Sequence, residues 1–307
     1  MTRKELMELL SSLRQAQIGG KRAPHKPLLL LWMFGRLANT GSDGASYAEA
    51  AGPVSQLIND FGPPVSNPAA AQHRAAMPFV HLERALWDLR DQDGSEISLH
   101  APERGRWLLD HKAVGRFRPG VASLLSDSAT LARAARLLLD QHFTPVLADM
   151  ILSAVDLELA HFEAPVPTRA APRRQRLAGF AEVVLRAYAY RCAMCEFDGR
   201  LGRNPVAIEA AHVRWHSLDG PDELANGIAL CSLHHALFDF GVLGLSSDLR
   251  INVSPDYVGT SEAGSAVYQL NGRPVIRPVQ PGQPSVDLVY IDWHSVQVFK
   301  GGSTAAQ

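Results

Sequence analysis

The chain has 307 residues, 46% hydrophobic and 20% charged, with 30 Lys and Arg against 31 Asp and Glu for a formal net charge of −1. That composition excludes a disordered tail protein and supplies core for about two domains at roughly 150 residues each. No apolar run approaches the ~20 residues of a membrane-spanning helix, and Met1-Thr2-Arg3-Lys4-Glu5 leads into no signal-peptide core, so a cytoplasmic location and no membrane partner are expected.

Thr2 and Glu5 form a capping box ahead of Leu6, Leu9, Leu10 and Leu13, which predicts an opening helix. Pro27 suits the start of a second helix, Leu28 to Leu37. Further helices are expected over 47–61, 128–141 and 145–155. Val80 to Leu89 and Ile97 to Leu109 read as short strands around the turn Asp91-Gln92-Asp93-Gly94. Pro165, Pro167 and Pro172 with Arg169, Arg173 and Arg174 predict a linker over 164–175, dividing a domain at 1–163 from one at 176–307. After it, Leu177, Phe180, Val184 and Tyr188 fall at helical spacing over 176–188.

The three cysteines, Cys192, Cys195 and Cys231, are an odd number, which argues against a disulfide framework. Cys192-Ala193-Met194-Cys195 has two readings, a redox pair or a metal knuckle. It follows a helix and runs into the turn Glu196-Phe197-Asp198-Gly199, whereas a redox pair prefers a helix start after a strand. Cys231-Ser232-Leu233-His234 supplies a second closely spaced pair, so Cys192, Cys195, Cys231 and His234 are expected to hold a structural Zn²⁺.

Between the two pairs lie a short strand, Val206 to Val213, ending in His212, then turn residues Gly220 and Asp222, then Asn226-Gly227-Ile228-Ala229-Leu230. The second pair runs straight into His235 and the apolar Ala236-Leu237-Phe238. With His212, Asn226 and His235 in that order inside flanking zinc pairs, Tyr190 to Val253 resembles the HNH (ββα-metal) nuclease motif. The resemblance implies His212 as general base, Asn226 as the loop residue that orients it, and His235 as ligand of a catalytic Mg²⁺ or Mn²⁺. An imidazole of pKa near 6.5 suits a base at working pH. Many such motifs place a second metal ligand directly before the base, where this chain has Ala211; Glu209 on the strand and Asp239, four residues after His235, are the substitute candidates. His142, His161 and His216 have no partner pattern and read as surface or packing residues.

Two strings stand out in the first domain: Arg22-Ala23-Pro24-His25-Lys26-Pro27 before Leu28-Leu29-Leu30-Leu31, and Arg74-Ala75-Ala76-Met77-Pro78-Phe79, followed by Leu86-Trp87. Upstream of an HNH motif they are similar to the sulfur-binding domain of McrA-like type IV restriction endonucleases, over about residues 1–160, with Met77 where the family has an aromatic. That resemblance implies a pocket for a backbone phosphorothioate. Pro24, Pro78 and Phe79 would offer an apolar wall to the soft, weakly hydrated sulfur, and Arg22, His25, Lys26 and Arg74 would hold the adjoining phosphates and bases.

The reading is an α+β protein: a mainly helical DNA-reading domain followed by a ββα-metal domain with a structural zinc site. Its expected activity is cleavage of phosphorothioate-modified double-stranded DNA. Alternatives are an HNH nuclease reading 5-methylcytosine or plain sequence, and a catalytically silent, zinc-stabilised DNA-binding protein. A flipped methylated base would call for an aromatic cage; Trp32, Phe79, Trp87 and Trp107 show no such pairing in the sequence. Because cutting both strands takes two active sites, a homodimer is expected.

Overall fold

The computed structural model describes residues 1–14, 24–65, 67–159, 179–278 and 283–301. The chain divides into two compact units, Met1–Thr168 and Arg169–Gln307. The expected linker at 164–175, Arg22 and His161 lie outside the described residues.

In the first unit, α1 (Arg3–Ser11) starts at the expected capping box, with Thr2 and Glu5 each closing on the other's backbone. Leu6, Leu10 and Leu13 are buried and Leu9 is half-buried. The second helix, α2 (His25–Thr40), begins three residues before the expected Leu28 and ends at Gly41 in the left-handed conformation. Pro27 is therefore its third residue, a position whose N–H has no intrahelical acceptor to lose. Strand β1 (Gly44–Ser46) leads into α3 (Tyr47–Phe61), which Ser46 and Glu49 cap as a second capping box. After the short α4 (Pro68–Ala71) come α5 (Ala76–His81), β2 (Trp87–Arg90), α6 (Gly105–Asp110) and β3 (Val114–Phe117). Then α7 (Pro119–Leu125), α8 (Ser128–His142) and α9 (Pro145–Ala154) finish the unit, the last two close to their expected bounds.

Two expectations need correction. Val80 to Leu89 is not one strand but the end of α5, a turn and β2, and Ile97 to Leu109 holds α6 rather than a strand. Tertiary packing decides both cases, because short apolar runs satisfy helix and strand alike. The three strands pair antiparallel in the order β1-β3-β2, with Ala45 and Leu89 flanking Gly115. A Cβ at Gly115 would meet the Trp87 ring at 2.0 Å, so the sheet closes on that indole only because the central strand carries glycine there. Tyr47, Phe79, Trp87 and Phe117 pack edge to face in one buried run.

The second unit opens with α10 (Phe180–Ala187), shorter than the expected 176–188, of which 176–178 are not described. A small hairpin, β4 (Arg200–Leu201) with β5 (Asn204–Pro205), precedes β6 (Ile208–His212). Ala207 has φ 55°, a left-handed kink that starts β6 two residues after the expected Val206. Strand β7 (Gly227–Cys231) pairs antiparallel with β6, from Ile208 against Cys231 to His212 against Gly227. A Cβ on Gly227 would lie 2.3 Å from Val184, so α10 sits directly over the loop end of this hairpin, where His212 pairs with Gly227. Helix α11 (Ser232–Asp239) follows without a connecting residue, completing a ββα unit. Strands β8 (Leu243–Leu245) and β9 (Ile251–Val253) and, after the largely exposed α12 (Glu262–Ala266), α13 (Leu288–Gln297) contribute to the same core. No helix among the described residues is long and apolar enough to cross a membrane.

Candidate active site and metal centre

The first knuckle turns through Ala189, Tyr190 and Glu196, all at positive φ. Its loop closes by Cys192 N–H to Phe197 O at 2.9 Å and is tied to β7 by Ala193 N–H to Ala229 O at 2.8 Å. Cys231 ends β7 and is also the N-cap of α11, which puts His234 in that helix's first turn. The four expected donors therefore converge, with ligand atoms all within 4.8 Å of one another. Cys192 Sγ and Cys231 Sγ lie 3.4 and 3.3 Å from His234 Nδ1, and Cys195 Sγ lies 4.0 Å from Cys231 Sγ. Bonds of about 2.3 Å from a tetrahedral ion set sulfur atoms about 3.8 Å apart, so this donor set and spacing fit Zn²⁺.

The hairpin and helix bring His212, Asn226 and His235 into the ββα frame. Asn226 is fully buried between the strands' loop ends: its Nδ2 donates to Arg214 O and Pro221 O, both at 3.0 Å, and its Oδ1 accepts from Arg214 N–H at 2.8 Å. Its side chain staples the 213–226 loop shut. The His235 ring has Nδ1 2.7 Å from Glu209 Oε2 and Nε2 3.5 Å from Asp239 Oδ2. Glu209 also accepts from Ser232 Oγ at 2.6 Å. Both substitute ligand candidates therefore reach His235, but at opposite nitrogens of its ring. Glu209, His235 and Asp239 thus do not face one point and do not form, among the described residues, a cluster whose ligand atoms all lie within 4.8 Å of one another; Ala211 is buried in the core. The half of this set that suits Mg²⁺ or Mn²⁺ is His235 Nε2 with the Asp239 carboxylate, a borderline and a hard donor on the same side of the ring, with Glu209 on the other ring nitrogen.

His212 meets a different set of residues. Its Nε2 lies 2.7 Å from Asp222 Oδ1, and Phe180 of α10 stacks on its ring at 3.9 Å and 12°. His216 stands 3.4 Å from the same Asp222 oxygen, so it belongs to this cluster and is not the isolated surface or packing histidine expected. Asp222 was missed as well. Ten residues from His212 and read only as a turn former, it carries no short-range signal, since only loop closure by Asn226 brings it back.

In the first unit the two singled-out strings come together. His25 Nε2 lies 3.2 Å from Arg74 Nη2, and Arg74 Nη1 donates to Ile58 O and Asn59 Oδ1 at 3.0 and 3.2 Å. Burial, with Arg74 alongside, pushes the His25 imidazole down to about 3, so it is neutral at pH 7 and not the phosphate-holding cation that the resemblance implied. Burial also lowers Arg74, to about 10, which leaves it charged. Lys26 is buried and paired with Glu83 at 2.7 Å. Pro24 forms the N-cap of α2; Pro78 and Phe79 are buried in α5, with Phe79 a ring of the aromatic core rather than an open wall. Replacing Glu83 by Ala strands a buried ammonium; it is expected to cost the first unit about 3 kcal/mol, read as a lower denaturant midpoint at unchanged slope.

Residues 3–160, more than half of the chain, match the family model of the ScoMcrA-like DNA sulfur-binding domain, and residues 192–246 match an HNH endonuclease model. No curated protein matches the chain. Among solved structures, the sulfur binding domain of SprMcrA complexed with phosphorothioated DNA is 18% identical, with 53% of this chain and 97% of that one covered at a TM-score of 0.42. The sulfur binding domain of ScoMcrA complexed with phosphorothioated DNA is 21% identical over 52% of this chain and 98% of that one, at 0.41. The Type IV phosphorothioation-dependent restriction endonuclease ScoMcrA is 19% identical; 51% of this chain covers 32% of it, at 0.40.

Proposed function

The chain belongs to the ScoMcrA-like DNA sulfur-binding family and carries an HNH endonuclease domain behind that module, and on that premise we propose that it is an endonuclease that reads phosphorothioate in double-stranded DNA with its first unit and cuts with its second. The observation that carries the reading is the pairing of a sulfur-binding module with a ββα unit whose His212, Asn226 and His235 stand at strand end, loop and helix.

In the proposed reaction His212 takes a proton from the attacking water as general base. Asn226 holds the loop that carries the residues around His212. His235 through Nε2, with Asp239, would hold Mg²⁺ or Mn²⁺, which would supply charge neutralisation at the phosphate and leaving oxygen, while Glu209 orients the ring from its other nitrogen. Cys192, Cys195, Cys231 and His234 would hold Zn²⁺ as a structural ion that clamps the knuckle to α11. At the other unit, Arg74 supplies the charge, with Pro24 and Pro78 as the apolar neighbours and Phe79 supporting them from within the aromatic core. Lys26 and His25 act there by shaping the pocket from beneath, since one is paired and the other neutral; Arg22 completes the basic string. A homodimer in the cytoplasm, one active site per strand, follows from the same reading.

Two duplexes of one sequence, one bearing a backbone phosphorothioate, test this with Mg²⁺ and with Mn²⁺. Cleavage of the sulfur-bearing duplex at least ten times faster than of its oxygen twin is expected. Equal cleavage of both would remove the sulfur-reading half and leave the nuclease.

A further inference from the structure

His212 ends β6 with its ring enclosed by its own loop and by α10. Its side chain and that of Asp222 are 10% and 9% exposed, and Nε2 faces Asp222 Oδ1 at 2.7 Å. Phe180 covers the ring face, so the plane of the imidazole is held as well as its edge. His216 Nδ1 lies 3.4 Å from the same carboxylate oxygen and 3.3 Å from Gly220 O. A carboxylate only accepts, so the ring nitrogen that meets it carries the hydrogen, and the other, Nδ1, keeps the lone pair. Asn226 enters this chain of contacts one residue away, because its Nδ2 donates to the carbonyl of Pro221, which immediately precedes Asp222.

We propose that Asp222 is the positioning residue for the general base. It holds His212 as the Nε2–H tautomer, so that Nδ1 is the atom that receives the proton, and it stabilises the imidazolium formed. Asn226 acts on His212 through Asp222, by fixing the loop that presents the carboxylate. In the step itself, an O–H bond of water breaks and its proton passes to His212 Nδ1. The oxygen of that water forms a bond to phosphorus while the bond from phosphorus to the leaving sugar oxygen breaks, and that oxygen takes a proton from solvent. Second-layer partners that set a histidine's tautomer and orientation are a general device in metal and acyl-transfer sites. The inference rests on the reading of His212 as base, and the experiment separates the two.

The test uses the full zinc-loaded chain labelled with ¹⁵N-histidine, with the His212 ring assigned by its absence from His212→Ala. The wild-type spectrum is expected to show the Nε2–H tautomer. Asp222→Asn, isosteric and so least disturbing to the loop, is expected to lower kcat about 100-fold with KM for the duplex within twofold. An Nδ1–H tautomer in the wild type overturns the proposal whether or not the variant folds. So does an Asp222→Asn enzyme within threefold of wild-type kcat, or a loss carried by KM instead. Wild-type cleavage by His212→Ala would overturn the base assignment itself, a result distinct from failure at Asp222 alone.

Discussion

Removing zinc should unfold the second unit and abolish cleavage while the first unit keeps its own unfolding transition and its affinity for DNA. The expectation follows from comparing two magnitudes. Structural zinc sites contribute about 10–16 kcal/mol of binding free energy, and a domain's whole net stability is about 5–15 kcal/mol. The four donors come from two segments, 192–195 and 231–234, and Cys192, Cys231 and His234 are buried within the core that α10, β6, β7 and α11 share. Without the ion, three thiols and an imidazole crowd within 4.8 Å in that core with no charge to satisfy them. Cys231→Ser, or exhaustive chelation, is therefore expected to delete one of two thermal transitions, with metal analysis falling from one zinc per chain to none. Retention of both transitions after the zinc is gone would overturn the structural role.

The second large effect is at the base. His212→Ala is expected to lower the rate of cleavage by about 10²–10⁴-fold, the range that positioned proton transfer supplies. Binding to the phosphorothioate duplex should stay within threefold of wild type, because the reading module is a separate unit with its own core. The substitution removes ring contacts with Phe180 and Asp222 but no backbone pairing of β6 with β7 and none of the four converging donors, so the hairpin stays paired and the zinc content unchanged. Single-turnover cleavage with saturating enzyme measures the step directly. A loss below tenfold would move the base elsewhere, with His216 the nearest imidazole.

Much of this site was legible because its spacing is local. C-x-x-C depends on the knuckle turn at 192–195, and C-x-x-H with the adjacent His235 on three- and four-residue intervals that the first turn of α11 reproduces directly. Glu209 and Asp239 followed from strand alternation and from the i, i+4 helical step, and both reach His235. Asp222 and His216 were not legible, since their meeting with His212 depends on a loop closed by three hydrogen bonds to Asn226. In the first unit the Thr2–Glu5 capping box marked α1, whereas the Ser46–Glu49 box that caps α3 was not singled out although the helix over 47–61 was expected. Strand β3 was missed because Gly115 and Arg116 break its apolar alternation; glycine is there to admit the Trp87 ring, a tertiary reason with no local trace. The charge state of His25 and the pairing of Lys26 are likewise properties of burial, which composition does not report.

Cys231 is at once the last residue of β7, the cap of α11 and one of the four converging donors. Strand, helix and cluster thus share a single Cα, and no linker exists in which one could swing against another. The hairpin and the helix that carries His235 must travel as one stiff lever. The segment between His212 and Asn226 lies outside that junction; it contains short 3₁₀ turns at His216–Leu218 and Leu224–Asn226 and a left-handed Asp219. A change in that segment's length or stiffness would shift Asp222 against His212, while the junction at Cys231 would keep His235 and the four converging donors in place.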